Sequence, residues 1–171
     1  MGNALIVRKR KKSLQKIQNT KDIPFFSYKD EKDICLVSKC YDGDTIWIVR
    51  IIKNKPYRFK CRLSGIDTAE MRTKDEEEKK FAIKTRDYLA NLILNQYVWV
   101  KFGEFDKYGR LLCNIYLTHK DLKRKKSVNQ MLIDNGWAQA YDGGTKVEFK
   151  NWNSIKKEPI VKTKGWFIPI Y

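Results

Sequence analysis

Arg62-Leu-Ser-Gly-Ile-Asp67-Thr68-Ala69-Glu70 places a guanidinium, two carboxylates and a threonine within nine residues. Just upstream, Tyr57, Phe59, Cys61 and Leu63 alternate with Arg58, Lys60, Arg62 and Ser64. A period of two marks a strand with one apolar and one polar face, so Arg62 is predicted to point away from the core. Gly65 permits a bend where the strand runs out. Asp67 and Glu70 are an odd number of residues apart and cannot share one face of a strand. They need a turn, which could gather both carboxylates around one small volume. Hard oxygen ligands beside a fixed cation suit a divalent metal ion and a phosphate.

Two further clusters have the same ingredients. Asp42-Gly43-Asp44-Thr45 lies between two strand patterns, and alone it reads as a hairpin turn, for which Asp-Gly is the strongest short signal. Asp106-Lys107-Tyr108-Gly109-Arg110 alone reads as a solvent loop leading into a strand.

The elements that must position these residues follow from periodicity. Ile34–Tyr41, Thr45–Ile52 and Tyr57–Ile66 are predicted strands, with turns at Asp42-Gly43-Asp44 and Asn54-Lys55-Pro56. Thr73-Lys-Asp-Glu76 has the form of a capping box, and Phe81, Thr85, Tyr88, Leu89, Leu92 and Ile93 then recur at helical spacing. Tyr97–Phe102 and Leu111–Leu117 are two more strands. Ser127-Val-Asn-Gln130 opens a short second helix that stops at Gly136. Thr145-Lys-Val-Glu148 opens a third, ended before Pro159. The closing Gly165–Tyr171 is apolar and is expected to pack on something. Five strands with a helix between the third and fourth form the pattern of a small OB-type barrel, one option among mixed α+β folds.

The 171 residues are enough for one domain with a real core, and a 42% hydrophobic content is ample for folding. Residues 1–24 are read as a basic, flexible N-terminal tail and residues 25–171 as the domain. The formal net charge of +16 points to a polyanionic partner, nucleic acid before an anionic membrane surface. Arg8-Lys-Arg-Lys-Lys12 could serve as a nucleic-acid arm or a nuclear-import signal. Met1-Gly2 raises N-myristoylation, against which stands Ile6 where Ser or Thr is usual. Cys35, Cys40, Cys61 and Cys113 form no Cys-x-x-Cys pair, and His119 is the lone histidine, which argues against zinc. They read as reduced, partly buried thiols of an intracellular protein. No apolar run suits a secretory signal or a membrane span. A monomer is expected.

Taken in order, the motifs resemble those of the staphylococcal-nuclease-type (thermonuclease) domain. That family reads Asp-Gly-Asp-Thr, Arg-Leu-x-x-x-Asp-Thr-Pro-Glu, Asp-x-Tyr-Gly-Arg, then Val-Asn, a Leu and Gly-x-Ala. The chain supplies Asp42–Thr45, Arg62–Glu70, Asp106–Arg110, Val128-Asn-Gln-Met-Leu132 and Gly136-Trp-Ala138. The resemblance covers about residues 33–141, and its one notable departure is Ala69 in place of proline. It implies a five-stranded OB-fold Greek-key barrel with about three helices, and calcium-dependent hydrolysis of phosphodiesters in DNA or RNA, leaving 3′-phosphates. It implies Asp44, Asp67 and the Thr68 carbonyl as calcium ligands, magnesium or manganese being alternatives that such oxygens accept. Glu70 would be the general base or would orient water, and Arg62 and Arg110 would clamp the phosphate. Lys107, Tyr108 and Tyr141 would bind substrate. The rival readings are a catalytically inactive nucleic-acid-binding module of the same fold, a nuclease tethered to a membrane by its N-terminus, and a basic protein that coats nucleic acid without cutting it.

Overall fold

The computed structural model describes residues 2–152. In chain order the strands are β1 (Lys32–Cys40), β2 (Thr45–Ile52), β3 (Lys55–Leu63), β4 (Ile66–Asp67), β5 (Tyr97–Phe105), β6 (Leu111–Tyr116) and β7 (Gln139–Ala140). Five of them close into a barrel in the order β1-β2-β3-β6-β5, and β4 and β7 pair separately. Neighbours run antiparallel except β3 and β6, which run parallel. This is the expected α+β architecture built on an OB-type barrel.

Inward residues follow the predicted alternation. Ile46 and Ile48 of β2, Cys61 and Leu63 of β3, Val98, Val100 and Phe102 of β5, and Leu111, Cys113 and Ile115 of β6 are buried. Each fully buried Leu or Ile contributes about 1.5–3 kcal/mol relative to an exposed one. Helix α2 (Glu76–Ile93) adds Leu89 and Ile93 to this core, and α4 (Val128–Asp134) adds Val128 and Leu132. Buried Asn129 on α4 accepts from Ile115 N–H at 3.1 Å and donates to the carbonyls of Ser64 and Cys113 at 2.9 and 3.0 Å. That one side chain ties α4 to β6 and to the end of β3.

Several local expectations are corrected. Helix α2 is capped by Asp75, which accepts from Glu77 and Glu78 N–H, rather than by Thr73; Thr73 instead accepts from Asp75 N–H. The turn after β2 is Lys53-Asn54, both left-handed, and Pro56 already lies in β3. Gly65, at φ +76°, ends the third strand, so Ile66–Asp67 is a separate element. Helix α3 (His119–Arg124) was not anticipated; it has no buried residue and hence no apolar periodicity to read. Within the basic N-terminal stretch, residues 2–14 form a helix, α1 (Gly2–Leu14). Its Leu, Arg and Lys are good helix formers, and Lys11 and Lys12 meet the negative end of its dipole. Thr145-Lys-Val-Glu148 opens no α-helix. Among the described residues, a short 3-10 turn follows at Phe149–Asn151, and Glu148 makes no side-chain cap. The expected end of that helix and the closing apolar segment lie outside the described residues.

All four cysteines are free, and three of them are buried. Burial pushes the Cys35 thiol up to about 12 and the Cys40 thiol up to about 11, so neither carries thiolate at neutral pH.

Gly43 is required for space. A Cβ there would sit 2.6 Å from Thr85 Cγ2 on α2 and 3.1 Å from Cβ and Cγ2 of Thr68. Gly43→Ala is expected to destabilise the fold by about 1–3 kcal/mol through overpacking. Urea unfolding checks this. Adding Thr85→Ser, which deletes the nearest methyl, should recover part of the loss. A Gly43→Ala midpoint equal to wild type would show that α2 yields freely.

Candidate active site

The β2–β3 register sets the first half of the site. Thr45 faces Arg62 across the ladder, and Leu63 N–H donates to the Asp44 carbonyl at 2.8 Å. Asp44, one residue ahead of β2, is thereby fixed beside the end of β3. Past Gly65, the β4–β7 pairing aligns Asp67 with Gln139 and Ile66 with Ala140. Tyr141 N–H donates to the Gly65 carbonyl at 3.0 Å, which sets Tyr141 over the same corner.

Arg62 joins these pieces. One terminal nitrogen donates to Asp44. The other donates to Asp67 Oδ1 at 3.2 Å and to the Ile66 carbonyl at 3.1 Å. The Asp44 and Asp67 side chains are each only 8% exposed and the Arg62 side chain 12%. Burial works against the Arg62 charge, but Asp44 and then Asp67 outweigh it, so its pKa is raised.

Lys146 supplies a second cation. Its Nζ lies 2.8 Å from Asp67 Oδ1 and 2.5 Å from Glu70 Oε1. Burial alone would lower its pKa, yet hydrogen bonds to Asp67 and Glu70 raise it. Asp42, partly buried near Asp44 and Glu70, has its carboxyl pushed up by burial and then by those two charges. Asp44, Asp67 and Glu70 thus share Arg62 and Lys146, three carboxylates to two cations.

Arg110 is braced within its own turn. Asp106 accepts from Tyr108 N–H at 2.8 Å and Arg110 N–H at 2.9 Å, while its other oxygen accepts from Arg110 Nε at 2.7 Å. Burial would raise the Asp106 pKa, but these bonds hold it below the usual carboxylate value. Gly109, at φ +75°, makes the turn.

A cleft of about 540 Å³ collects Asp44, Arg62, Thr68, Glu70, Lys107, Tyr108, Arg110, Tyr141 and Lys146. Every site residue predicted from the sequence lines it except Asp67, which lines the adjoining pocket with Thr68, Glu70 and Lys146 and pairs with Arg62. The Arg62 guanidinium lies 5.9 Å from the centre of the Tyr141 ring, and Arg110 lies 5.4 Å from that of Tyr108. Tyr108 is 71% exposed, so its ring is open to a planar partner. Glu70 projects into the cleft from a loop whose preceding residue, Ala69, is buried with Ala82 and Trp152. Its N–H donates to Glu78 Oε1 at 3.0 Å.

Lys146 is the residue that sequence reading missed. It follows Tyr141-Asp-Gly-Gly-Thr145, where Gly143 has φ +101°. Those paired glycines were the available sign of a loop rather than a helix start. Among the described residues no three Asp, Glu, His or Cys side chains form a ready metal cage. The two buried carboxylates of Asp44 and Asp67, both held on Arg62, nevertheless offer hard oxygens of the kind a divalent cation takes.

Residues 60–158 match the family model described as "Staphylococcal nuclease homologue". A protein of Uncinocarpus reesii named "Probable endonuclease LCL3" is 31% identical over 88 residues, covering 52% of this chain and 29% of that protein. A protein of the same name from Kluyveromyces lactis is 31% identical over 94 residues, covering 55% and 34%. "Protein ParB" of Escherichia coli is 30% identical over 108 residues, covering 61% and 55%. The chain therefore spans about a third of the two fungal relatives and about half of the bacterial one. The match spans more than half of the chain and contains the end of β3 with Arg62, the Asp67–Glu70 loop, Arg110, Asn129 and Lys146, and on that ground the chain belongs to the staphylococcal nuclease homologue family.

Proposed function

We propose that the chain is a calcium-dependent endonuclease that hydrolyses phosphodiester bonds in DNA or RNA with little sequence preference. The observation that carries this reading is the convergence of Asp44, Arg62, Glu70 and Arg110 on one cleft. Family membership and the names of its relatives support it.

Asp44, Asp67 and the Thr68 carbonyl would hold calcium, with magnesium and manganese as alternatives. The bound ion supplies positive charge next to a phosphate oxygen. Glu70 takes a proton from the attacking water, or orients it. Arg62 and Arg110 meet the equatorial oxygens, where negative charge gathers in the transition state. A planar guanidinium can contact two oxygens together, which an ammonium cannot. The bond from phosphorus to the 5′-oxygen breaks, leaving a 3′-phosphate and a 5′-hydroxyl. Arg110 would also assist that leaving oxygen. Tyr108 and Tyr141 offer faces on which any base can stack, which suits single strands. Lys146 engages Asp67 and Glu70 in the free site, so it must release both before they act.

Incubation with single-stranded DNA and RNA in calcium, magnesium, manganese and chelator tests the reading. Cutting that needs metal and vanishes in Arg62→Ala is expected. Glu70→Gln should lower the rate by roughly 10²–10⁴ while leaving binding in chelator largely intact. Arg110→Lys should also cost much of the rate, because the fork is lost. Tight binding without cutting in any metal would instead identify a catalytically inactive binding module.

Lys146→Met removes the internal cation from Asp67. Calcium affinity measured by titration calorimetry should rise several-fold. An unchanged affinity would show that Lys146 does not compete for that carboxylate.

A further inference from the structure

The outward face of β3 carries more cations than the cleft uses. Arg62, Lys60 and Arg58 alternate along the strand, so each lies about 7 Å from the next on the same side of the sheet. The ladder places Trp47 of β2 directly between Lys60 of β3 and Lys39 of β1. Three cations surround its indole. Arg58 lies 4.8 Å, Lys39 5.0 Å and Lys60 5.8 Å from the ring centre. Lys39 also lies 5.5 Å from the Tyr41 ring, and the Tyr41 hydroxyl accepts from Arg72 at 3.0 Å, next to the Glu70 loop.

These cations lack the carboxylate partners that Arg50 and Lys101 have elsewhere on the barrel. Arg50 pairs with Glu31 and Asp33, and Lys101 pairs with Asp30. Among the described residues no carboxylate pairs with Lys39, Arg58 or Lys60. Exposed like charges gathered on one sheet face repel one another, and only a polyanion reverses that cost. The indole holds them in place beforehand through cation–π contacts, which reduces the ordering that a ligand must impose.

We propose that Lys39, Arg58 and Lys60, ordered around Trp47, form a backbone subsite. It binds the phosphates of a single nucleic-acid strand flanking the scissile bond. The proposal deepens the nuclease reading and rests on it for the identity of the polyanion. Continuity with the cleft decides between partners. The Trp47–Lys60 rung is one same-face step from the Thr45–Arg62 rung, so a strand leaving Arg62 along β3 meets Lys60 and then Arg58. The cations contact phosphate alone, which carries no sequence information, so the subsite adds affinity without base preference.

Fluorescence anisotropy in chelator, with a labelled oligothymidylate of about 12 nucleotides, separates binding from cutting. Lys39→Gln with Lys60→Gln keeps the indole and tests the charges on a fold that should be unaffected. Affinity should fall about tenfold, and the slope of log affinity against log salt should drop by roughly 0.7 for each lost contact. Lys120→Gln with Lys123→Gln on α3 removes equal charge elsewhere and should do neither. Trp47→Leu should weaken binding with both lysines present, since the cations lose their post. Equal losses from the two lysine pairs, or an unchanged salt slope in the Lys39/Lys60 pair, would overturn the subsite. So would loss of binding to phosphatidylserine vesicles with oligonucleotide affinity kept, which would assign the patch to a lipid surface. If no cutting occurs in any metal, the nuclease reading fails while anisotropy still decides the subsite.

Discussion

One guanidinium shared by two buried carboxylates organises this molecule. Asp44 comes from the turn ahead of β2 and Asp67 from β4, and without Arg62 between them two poorly solvated carboxylates would lie near each other. Taking such charges out of water costs several kcal/mol per ion, and close pairing only roughly repays it. The geometry must therefore be held from outside. The β2–β3 ladder fixes Asp44, the β4–β7 pair fixes Asp67, and Asn129 ties α4 to the end of β3. The same bond creates a functional tension. Under the proposed function, a phosphate in the cleft would have to draw Arg62 away from carboxylates that already satisfy it. That exchange would need another positive charge to take Arg62's place beside Asp44 and Asp67.

Arg110 poses no such problem. Its single carboxylate partner, Asp106, sits four residues away in the same turn and also accepts two backbone N–H bonds. A local motif of this kind forms from its own five residues. It leaves the guanidinium partly exposed with nitrogens free to turn toward a ligand. The two arginines thus reach one cleft by different means, one through long-range packing and one through a short loop.

This division explains what could be read from the sequence. The β2 limits follow from β-branched residues and alternation alone, and Thr45–Ile52 has the bounds expected. Asp106–Arg110 announces its own turn. Arg62, Asp44 and Glu70 were legible because residue type, order and spacing are written in the chain. Lys146 was not. Its partners, Asp67 and Glu70, lie 79 and 76 positions away (146 − 67 and 146 − 70), and nothing in Thr145-Lys-Val-Glu148 says that the lysine prefers them to a helix. The capping-box pattern there was a local preference overruled by two ion pairs and by the packing of Phe149 and Trp152 on Phe81. Gly43 was legible only in part. It does turn the chain between the antiparallel β1 and β2, as its type suggested, but its need for lateral room beside Thr85 is a contact visible only once α2 lies on the barrel.

Ala69 shows how the same packing substitutes for local stiffness. Proline at that position would restrict the backbone ahead of Glu70 through its ring. Here the alanine methyl is buried against Ala82 and Trp152, and Glu78 takes the next N–H. Trp152 is in turn held by its indole N–H on the Val147 carbonyl, one residue beyond Lys146. The loop that carries Glu70 and the strap that carries Lys146 therefore share one small apolar cluster. Any movement of the strap that frees Glu70 from Lys146 also loads the contact that positions Glu70. Release of the carboxylate is then easiest by rotation of the lysine side chain, with the backbone left in place.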